Sequence, residues 1–285
     1  MKDLTIGTEI EFTGLTRSKA AKVIAKFFGT TTVHERGTYD KYTVKDGTER
    51  IWSIMSDSSI QAESPYERCE LVTPILRWSD IETLQEIVRQ LRHAGAKVNE
   101  SCGLHVHVGA NGLTAQNIRA LVNTVAGRQE IFCRALNVHE KRKQYCRPTN
   151  ERFLRELNEK KPATLDELKT IWYGDNRDHG WHYDPTRYAI VNLHALFTKG
   201  TVEFRLYNAS LHAGEVKAAI QFSAALVVFA KKSQRAVYRK VETDNEKFAM
   251  RTFLTRLGLN GDEFKTVRLH MTKNLTGNAA WRFAV

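Results

Sequence analysis

The sequence has few cysteines and lacks the signals of several protein classes. Its four cysteines form no Cys-x-x-Cys pair, which excludes a zinc knuckle or a redox pair of that spacing. We find no uninterrupted apolar run of about 18 residues, and the N-terminal MKDLTIGTEIEF lacks the apolar region of a signal peptide. These absences predict reduced thiols, no membrane partner and a cytoplasmic protein.

Common nucleotide-binding and nucleic-acid-binding motifs are also missing. The chain contains neither a P-loop motif nor Gly-x-Gly-x-x-Gly, so an ATP site would be of another type. It shows no helix-turn-helix, RNP or zinc-finger pattern. The net charge is nevertheless +11, and residues 231–285 hold 12 basic and 5 acidic side chains. Such a segment can bind a polyanion, so nucleic acid is a partner to consider but not the favoured one.

Hydrophobic periodicity predicts an α+β fold without repeats. It indicates strands at 4–12, 69–76, 103–109, 187–197 and 200–208. It indicates helices at 17–29, 79–95, 114–136 and 213–231. Residues 138–186 look polar and irregular, with a long loop at 173–186 whose His179 and His182 are candidates for substrate contact. We expect a mostly antiparallel sheet with helices packed on one face. Residues 1–231 would form the catalytic domain, and 232–285 a basic extension packed on it or appended to it.

Three predicted strands carry polar side chains at alternate positions, which lie on the same face of a strand. The pairs are Glu9 with Glu11, His105 with His107, and Glu203 with Arg205. The apolar residue between the members of each pair is expected to point into the core. Glu70, at the start of another predicted strand, adds a further carboxylate.

This composition of one face predicts a metal site. Neighbouring carboxylates repel each other unless cations neutralise them. Carboxylates with one or two imidazoles suit Mg²⁺ or Mn²⁺ best, and a single transition metal is the second choice. The guanidinium of Arg205 can grip a phosphoryl group. Two metals and an arginine on one sheet are suited to phosphoryl transfer from a nucleotide.

Five blocks of the sequence, taken in order, resemble the amidoligase family, a branch of the glutamine synthetase-like carboxylate–amine ligases of bacteria and phages. They are GTEIEF, CELVTPIL, CGLHVHVG, RYAIVNL and TVEFRLYNASL, between about Gly7 and Leu211. The resemblance implies a glutamine synthetase-like curved antiparallel sheet that holds metals on its concave face. It also implies an ATP-dependent reaction in which an amine attacks an acyl phosphate to form an amide.

The resemblance also implies roles for individual residues. Glu9 and Glu11 would match the family's Glu-x-Glu metal ligands, Glu70 and Glu203 would be further ligands, and His105 would be a ligand in preference to His107. Arg205 would contact phosphate, Arg187 would contact phosphate or carboxylate, and Glu203 or a loop residue could accept the proton of the amine. Asp57 and Glu63 are taken as loop residues. The chain is much shorter than glutamine synthetase and shows no separate N-terminal domain.

Two alternatives to the ATP–Mg²⁺ ligase stay open at this stage. The first is a metal-dependent hydrolase or oxygenase in which His105 and His107 are both ligands. The second is a non-enzymatic module that binds polyanions through residues 231–285. The ligase would join a small-molecule or peptide carboxylate to an amine, and neither the two substrates nor the oligomeric state follows from the sequence.

Overall fold

A computed structural model describes residues 1–175, 177, 179–181 and 183–281. Within these residues eight strands form one sheet, and neighbouring strands pair antiparallel. The strands are β1 (Ile6–Phe12), β2 (Thr32–Arg36), β3 (Lys41–Lys45), β4 (Ile51–Met55), β5 (Cys69–Val72), β6 (Gly103–Gly109), β7 (Val191–Asn192) and β8 (Thr201–Asn208). Their order across the sheet is β2-β3-β4-β5-β1-β6-β8-β7. The strands with the predicted metal ligands, β5, β1, β6 and β8, are therefore neighbours.

Helices cover the apolar face of this sheet. The α-helices of the described residues are α1 (Arg17–Phe28), α2 (Ile81–His93), α3 (Ala115–Ala126), α4 (Gln129–Leu136), α5 (Glu151–Lys160), α6 (Leu165–Tyr173), α7 (His194–Lys199), α8 (Ala213–Lys232), α9 (Glu246–Arg256) and α10 (Lys265–His270). Helix α8 contacts β6, α2, α3 and α10. Ile10, Val106 and Phe204, the apolar residues between the polar pairs, are buried in the main core. The predicted α+β class and the antiparallel sheet are confirmed.

Capping residues mark both ends of α1, whereas α2 begins later than its sequence pattern predicts. The side chain of Thr16 accepts a hydrogen bond from Lys19 N, and α1 ends at Gly29 in the left-handed conformation. The predicted start of the second helix at Ser79 is wrong, because Ser79 lies in a 3₁₀ turn before α2. Asp80 organises that turn by accepting from Arg77 N at 2.7 Å.

The predicted helix over 114–136 is two helices, α3 and α4, separated at Gly127. A Cβ on Gly127 would lie 2.2 Å from the carbonyl oxygen of Arg239. Val241 N also donates to Gly127 O at 2.9 Å. The C-terminal segment therefore packs against this junction at backbone distance, which only glycine allows.

The segment 138–186 is more regular than predicted because it contains α5 and α6. Side chains cap both helices: Asn150 accepts from Phe153 N, and Thr164 accepts from Glu167 N. Phe153 and Leu168 bury their apolar sides in the main core. After α6, the described residues 174, 175, 177, 179–181, 183 and 184 lie in no helix or strand, and the short turn Pro185–Arg187 follows them.

The predicted strand over 187–197 is also wrong in extent. Within this range only β7 (Val191–Asn192) is a strand, which pairs with β8, and α7 begins two residues later at His194. The side chain of Asn192 accepts from His194 N at 2.8 Å, which turns the chain from strand to helix. The predicted strand over 200–208 is confirmed by β8.

Helix α8 is long and mostly apolar, although Glu215 and Lys217 interrupt its apolar sequence near the start. Among the described residues α8 alone, with 20 residues, meets the length and composition of a membrane span. The fold buries 72% of its most apolar window. Packing inside the protein therefore explains why this helix is so apolar.

The part after residue 231 shares the core of the preceding part. α10 packs on α8. Phe253, Leu254, Val267 and Met271 belong to the same hydrophobic cluster as the sheet. The predicted division at residue 231 stays a prediction.

The turn between β3 and β4 is organised by the buried carboxylate of Asp46. It accepts from Thr48 N and Oγ1 at 2.8 Å, from Arg50 Nε at 2.9 Å and from Trp52 Nε1 at 3.1 Å. Burial disfavours the ionised form, but these hydrogen bonds outweigh burial and lower the pKa of Asp46 to about 2. The ionised carboxylate therefore stabilises the folded chain.

We expect Asp46→Asn to lower the free energy of unfolding by about 1–3 kcal/mol near neutral pH. Because the folded pKa lies below its ordinary value of 3.8, the wild-type advantage exists above about pH 4 and is lost as the pH falls toward 2. Urea unfolding across this range measures both effects. Glu49→Gln, an exposed change in the same turn, should alter stability by less than about 0.5 kcal/mol. Equal losses in the two variants would contradict the role of Asp46.

Candidate active site

Strand register gathers the predicted metal ligands on one face of the sheet. Directly opposed residues of antiparallel strands have their side chains on the same face. The opposed pairs are Glu11 with Glu70, Glu9 with His105, and His107 with Glu203. All six predicted ligands therefore lie side by side across β5, β1, β6 and β8.

Two overlapping groups of these side chains are tight enough to hold a metal ion. The first is Glu9, His105 and Glu203, and the second is Glu11, Glu70 and His105; within each group the ligand atoms lie within 4.8 Å of one another. His105 belongs to both groups. Its Nδ1 lies 3.0 Å from Glu9 Oε2, and its Nε2 lies 3.9 Å from Glu11 Oε1. The groups offer two adjacent cation positions that meet at the His105 ring.

His107 lies beside the first group without belonging to either. Its Nε2 is 3.2 Å from Glu9 Oε1 and 3.9 Å from Glu203 Oε2. Its Nδ1 forms a hydrogen bond with Thr201 Oγ1 at 3.0 Å. The buried Nε2 has no hydrogen-bond partner among the residues that the structure describes. His107 therefore lies beside the carboxylates of the first group and outside both groups.

The carboxylates of Glu11 and Glu70 are costly to ionise without a cation. Burial, followed by the charges of Glu9 and Glu11, raises the pKa of Glu70. Burial also raises the pKa of Glu11 to about 7, although Arg142 opposes this shift. A divalent cation would favour the ionised form of both carboxylates. The donor set thus fits a metal on chemical grounds.

The other carboxylates and the two imidazoles are set by their neighbours. Burial opposes ionisation of Glu203, but Arg205 and His107 outweigh it and lower the pKa of Glu203 to about 2. Burial and the charge of Arg205 lower the pKa of His105 to about 4. Burial lowers the pKa of His107 as well, but Glu203 and Glu9 outweigh it and raise that pKa. Metal ligation requires a neutral imidazole, which favours His105 over His107.

Two buried arginines lie close to the carboxylates of Glu203 and Glu11. Arg205 Nη1 lies 2.5 Å from Glu203 Oε1, and its Nε donates to Tyr145 O at 3.2 Å. Arg142 Nη1 lies 3.9 Å from Glu11 Oε2, and its Nη2 donates to Arg205 O at 3.0 Å. Both guanidinium groups are therefore fixed before any ligand binds.

The sequence did not indicate Arg142 because it lies in the segment predicted as irregular. It reaches the site over Gly103, the first residue of β6. A Cβ on Gly103 would lie 1.6 Å from Arg142 Nη1. Gly103 N also donates to Glu11 Oε2 at 2.6 Å. The lack of a side chain at Gly103 therefore leaves room for the Arg142 guanidinium, and this glycine is the sequence feature that could have pointed to it.

A cavity of about 380 Å³ is lined by Glu9, Glu11, Glu70 and His105, whereas Glu203 lies behind its lining. Tyr39 and Tyr183 line it and join their hydroxyls across it at 2.6 Å. Arg187 lies at its wall, with its guanidinium carbon 5.9 Å from the Tyr183 ring and 5.7 Å from the Tyr188 ring. The structure thus places Arg187 at the cavity wall, in a short turn rather than in a strand, and its role stays a prediction.

The sequence did not predict three further residues of the site, Lys199, Asn192 and Asp57. Lys199 Nζ lies 3.6 Å from Glu9 Oε1, and Asn192 Nδ2 donates to Glu203 Oε2 at 2.6 Å. Asp57, taken as a loop residue, lines the cavity, whereas Glu63 does not. The pairing of β7 with β8 explains Asn192, because it is directly opposite Glu203.

Of the two loop histidines predicted as candidates for substrate contact, the structure describes His179. His179 is hydrogen-bonded to Asp175 and Asp184, both at 2.7 Å, and stacks on Tyr173 with ring centroids 3.9 Å apart. It does not line the cavity. His182 lies outside the described residues. We therefore see His179 as a link that organises the loop.

The family comparison agrees with the sequence blocks and with this geometry. A model of the family described as "Putative amidoligase enzyme" matches residues 2–227. The chain belongs to the amidoligase family. The matched range includes all the predicted ligands together with Arg187 and Arg205, so the site of this amidoligase-family chain lies within the shared part. Membership supports an enzyme that forms amide bonds, and residues after 227 lie outside the match.

Other comparisons say less about this amidoligase-family chain. No curated protein matches it. A solved structure of a bifunctional glutathione synthetase from Pasteurella multocida aligns with 95% of this chain and 48% of its own, at 12% identity and a TM-score of 0.39. The chain thus spans about half the length of that protein. At this similarity, residue roles cannot be compared.

We expect divalent cations to stabilise the chain through Glu70. With a chelator present, Glu70→Gln should melt at the same temperature as wild type or higher, because it removes a crowded carboxylate. With Mg²⁺ or Mn²⁺ at about 100 times its dissociation constant, wild type should gain about 5 °C and the variant much less. Thermal unfolding measures this, with the exposed Glu63→Gln as control. A full cation response in Glu70→Gln would disprove the assignment.

Proposed function

We propose that this chain is an ATP-dependent ligase that joins a carboxylate to an amine through an acyl phosphate. The observation that carries the proposal is the pair of adjoining carboxylate–imidazole groups in contact with Arg205 on one face of an amidoligase-family sheet. A carboxylate and an amine do not condense near neutral pH, because one is a resonance-stabilised anion and the other mostly a protonated cation. Phosphorylation makes the carboxylate electrophilic and supplies phosphate as the leaving group, and the amine must lose its proton to a base before it attacks.

The two groups of ligands support a pair of Mg²⁺ or Mn²⁺ ions. Glu9, Glu203 and His105 would hold one cation, and Glu11 with Glu70 would hold its neighbour. Oxygen-dominated donor sets suit these hard cations. When bound, the cations would offset the negative charge of the nucleotide phosphates.

Arg205 is the residue we assign to the transferred phosphoryl group. Glu203 and the carbonyl of Tyr145 fix its guanidinium, which provides a preorganised positive charge. Glu203 itself accepts from Arg205 and from Asn192. We therefore assign Glu203 to cation binding and to orienting Arg205, in preference to proton transfer.

The cavity wall supports binding of an anionic substrate and exclusion of water. Arg187 can form paired hydrogen bonds with a carboxylate or a phosphate. The hydroxyl contact between Tyr39 and Tyr183 joins two distant segments of the chain across the cavity. A covered cavity would protect an acyl phosphate from hydrolysis.

The first test uses hydroxylamine as the amine. With Mg²⁺-ATP and a panel of amino acids and other carboxylates, we expect equal amounts of ADP and hydroxamate, because hydroxylamine captures an acyl phosphate. Mass spectrometry then identifies the amide formed with natural amines and polyamines. Release of AMP instead of ADP would exclude the proposed intermediate. Activity without ATP that requires zinc or iron would favour the hydrolase or oxygenase alternative.

The second test separates charge from geometry at Arg205. Arg205→Lys keeps the charge but loses the planar group that Glu203 and Tyr145 hold. We expect the rate of ADP release at saturating ATP to fall about 100-fold to 1,000-fold. Arg89→Lys, at a half-exposed position on α2, should leave the rate unchanged. An unchanged rate in a folded Arg205→Lys protein would exclude this role.

A further inference from the structure

Residues 233–245 connect α8 to α9 without helix or strand, and we call residues 233–243 of this connection the basic strap. Side-chain amides fix its backbone along α3. Gln116 Nε2 donates to Gln234 O at 3.1 Å, and Asn123 Nδ2 donates to Ala236 O at 2.9 Å. The strap lies outside the family match, and none of its residues lines the candidate active site. Its role is therefore separate from the proposed chemistry.

A groove of about 510 Å³ lies between the strap, α3 and the end of α5. Arg119, Lys161 and Arg235 line it, together with Tyr238. Across the described ranges, none of these three cations has a carboxylate oxygen within ion-pair distance. Tyr238 is 40% exposed, and the neighbouring Val237 is 73% exposed. The groove combines unpaired positive charge with an accessible aromatic ring.

A second group of cations lies where the strap meets the junction of α3 and α4. Burial and the charges of Arg256 and Arg239 lower the pKa of Arg128. The Arg128 guanidinium lies 4.4 Å from the centre of the Phe253 ring. No ion pair compensates these arginines in the part of the chain that the structure covers. Gathered like charges of this kind favour a bound anion.

We propose that the basic strap binds single-stranded nucleic acid. The phosphates would contact Arg119, Lys161 and Arg235, and a base would stack on Tyr238. Cations spread along an extended surface suit a polymer better than a single anion. The exposed ring distinguishes the partner, because unpaired bases offer faces for stacking whereas an acidic peptide or a duplex does not.

The test uses the full chain and a fluorescently labelled oligonucleotide of about 20 deoxythymidines. Anisotropy should show binding that weakens with salt, with a slope of about −2 in the logarithmic plot for three phosphate contacts to a single strand. The Lys161→Ala/Arg235→Ala variant should bind about 10-fold or more weakly and show a slope flatter by about 1.4. Tyr238→Ala should weaken binding about 10-fold while leaving the slope unchanged.

A matched control removes two exposed lysines from α1, Lys22 and Lys26, and thus the same charge. Lys22→Ala/Lys26→Ala should bind as wild type does. No binding near 50 mM salt, or equal losses in the two double variants, would overturn the proposal. Equal affinity for duplex DNA, inorganic polyphosphate or polyglutamate, with no effect of Tyr238→Ala, would overturn it as well. Thermal unfolding confirms that each variant is folded, and hydroxamate formation should be unchanged in all of them.

Discussion

Antiparallel register across β5, β1, β6 and β8 is the constraint on which the candidate site depends. It sets Glu11 against Glu70 and Glu9 against His105. A slip of one residue would turn these side chains into the core and bring Ile10 to the polar face. Because Ile10 is packed in the hydrophobic cluster, the core that stabilises the sheet also fixes which groups face the cavity.

This register brings several buried carboxylates together. Neighbouring positive and hydrogen-bonding groups stabilise some of these carboxylates more than others. Arg205, Asn192 and the imidazoles compensate Glu203 and Glu9, whose pKa values are lowered. Glu11 and Glu70 receive less compensation, and their pKa values are raised. A divalent cation would therefore add most electrostatic stabilisation at Glu11 and Glu70.

The C-terminal part is connected to the catalytic part through its packing. Its backbone approaches Gly127 and separates α3 from α4. Its apolar residues join the core around α8. Charges in this part face outward along the strap, away from the cavity lining. The same chain thus has an acidic, buried cluster at the candidate active site and a basic, exposed surface along the strap.

The sequence by itself determined the features that follow from short-range periodicity. Alternation with a period of two placed Glu9 with Glu11 and His105 with His107 on common faces, and the long amphipathic helices and the ordered blocks indicated the fold class and the family. Local patterns did not reveal α5, α6 or the short extent of β7, because short polar helices and two-residue strands are stabilised by packing. Only the tertiary structure decided that Arg142 reaches Glu11 over Gly103 and that the pKa values of His105 and His107 shift in opposite directions. Both depend on distances between segments remote in sequence, which periodicity does not encode.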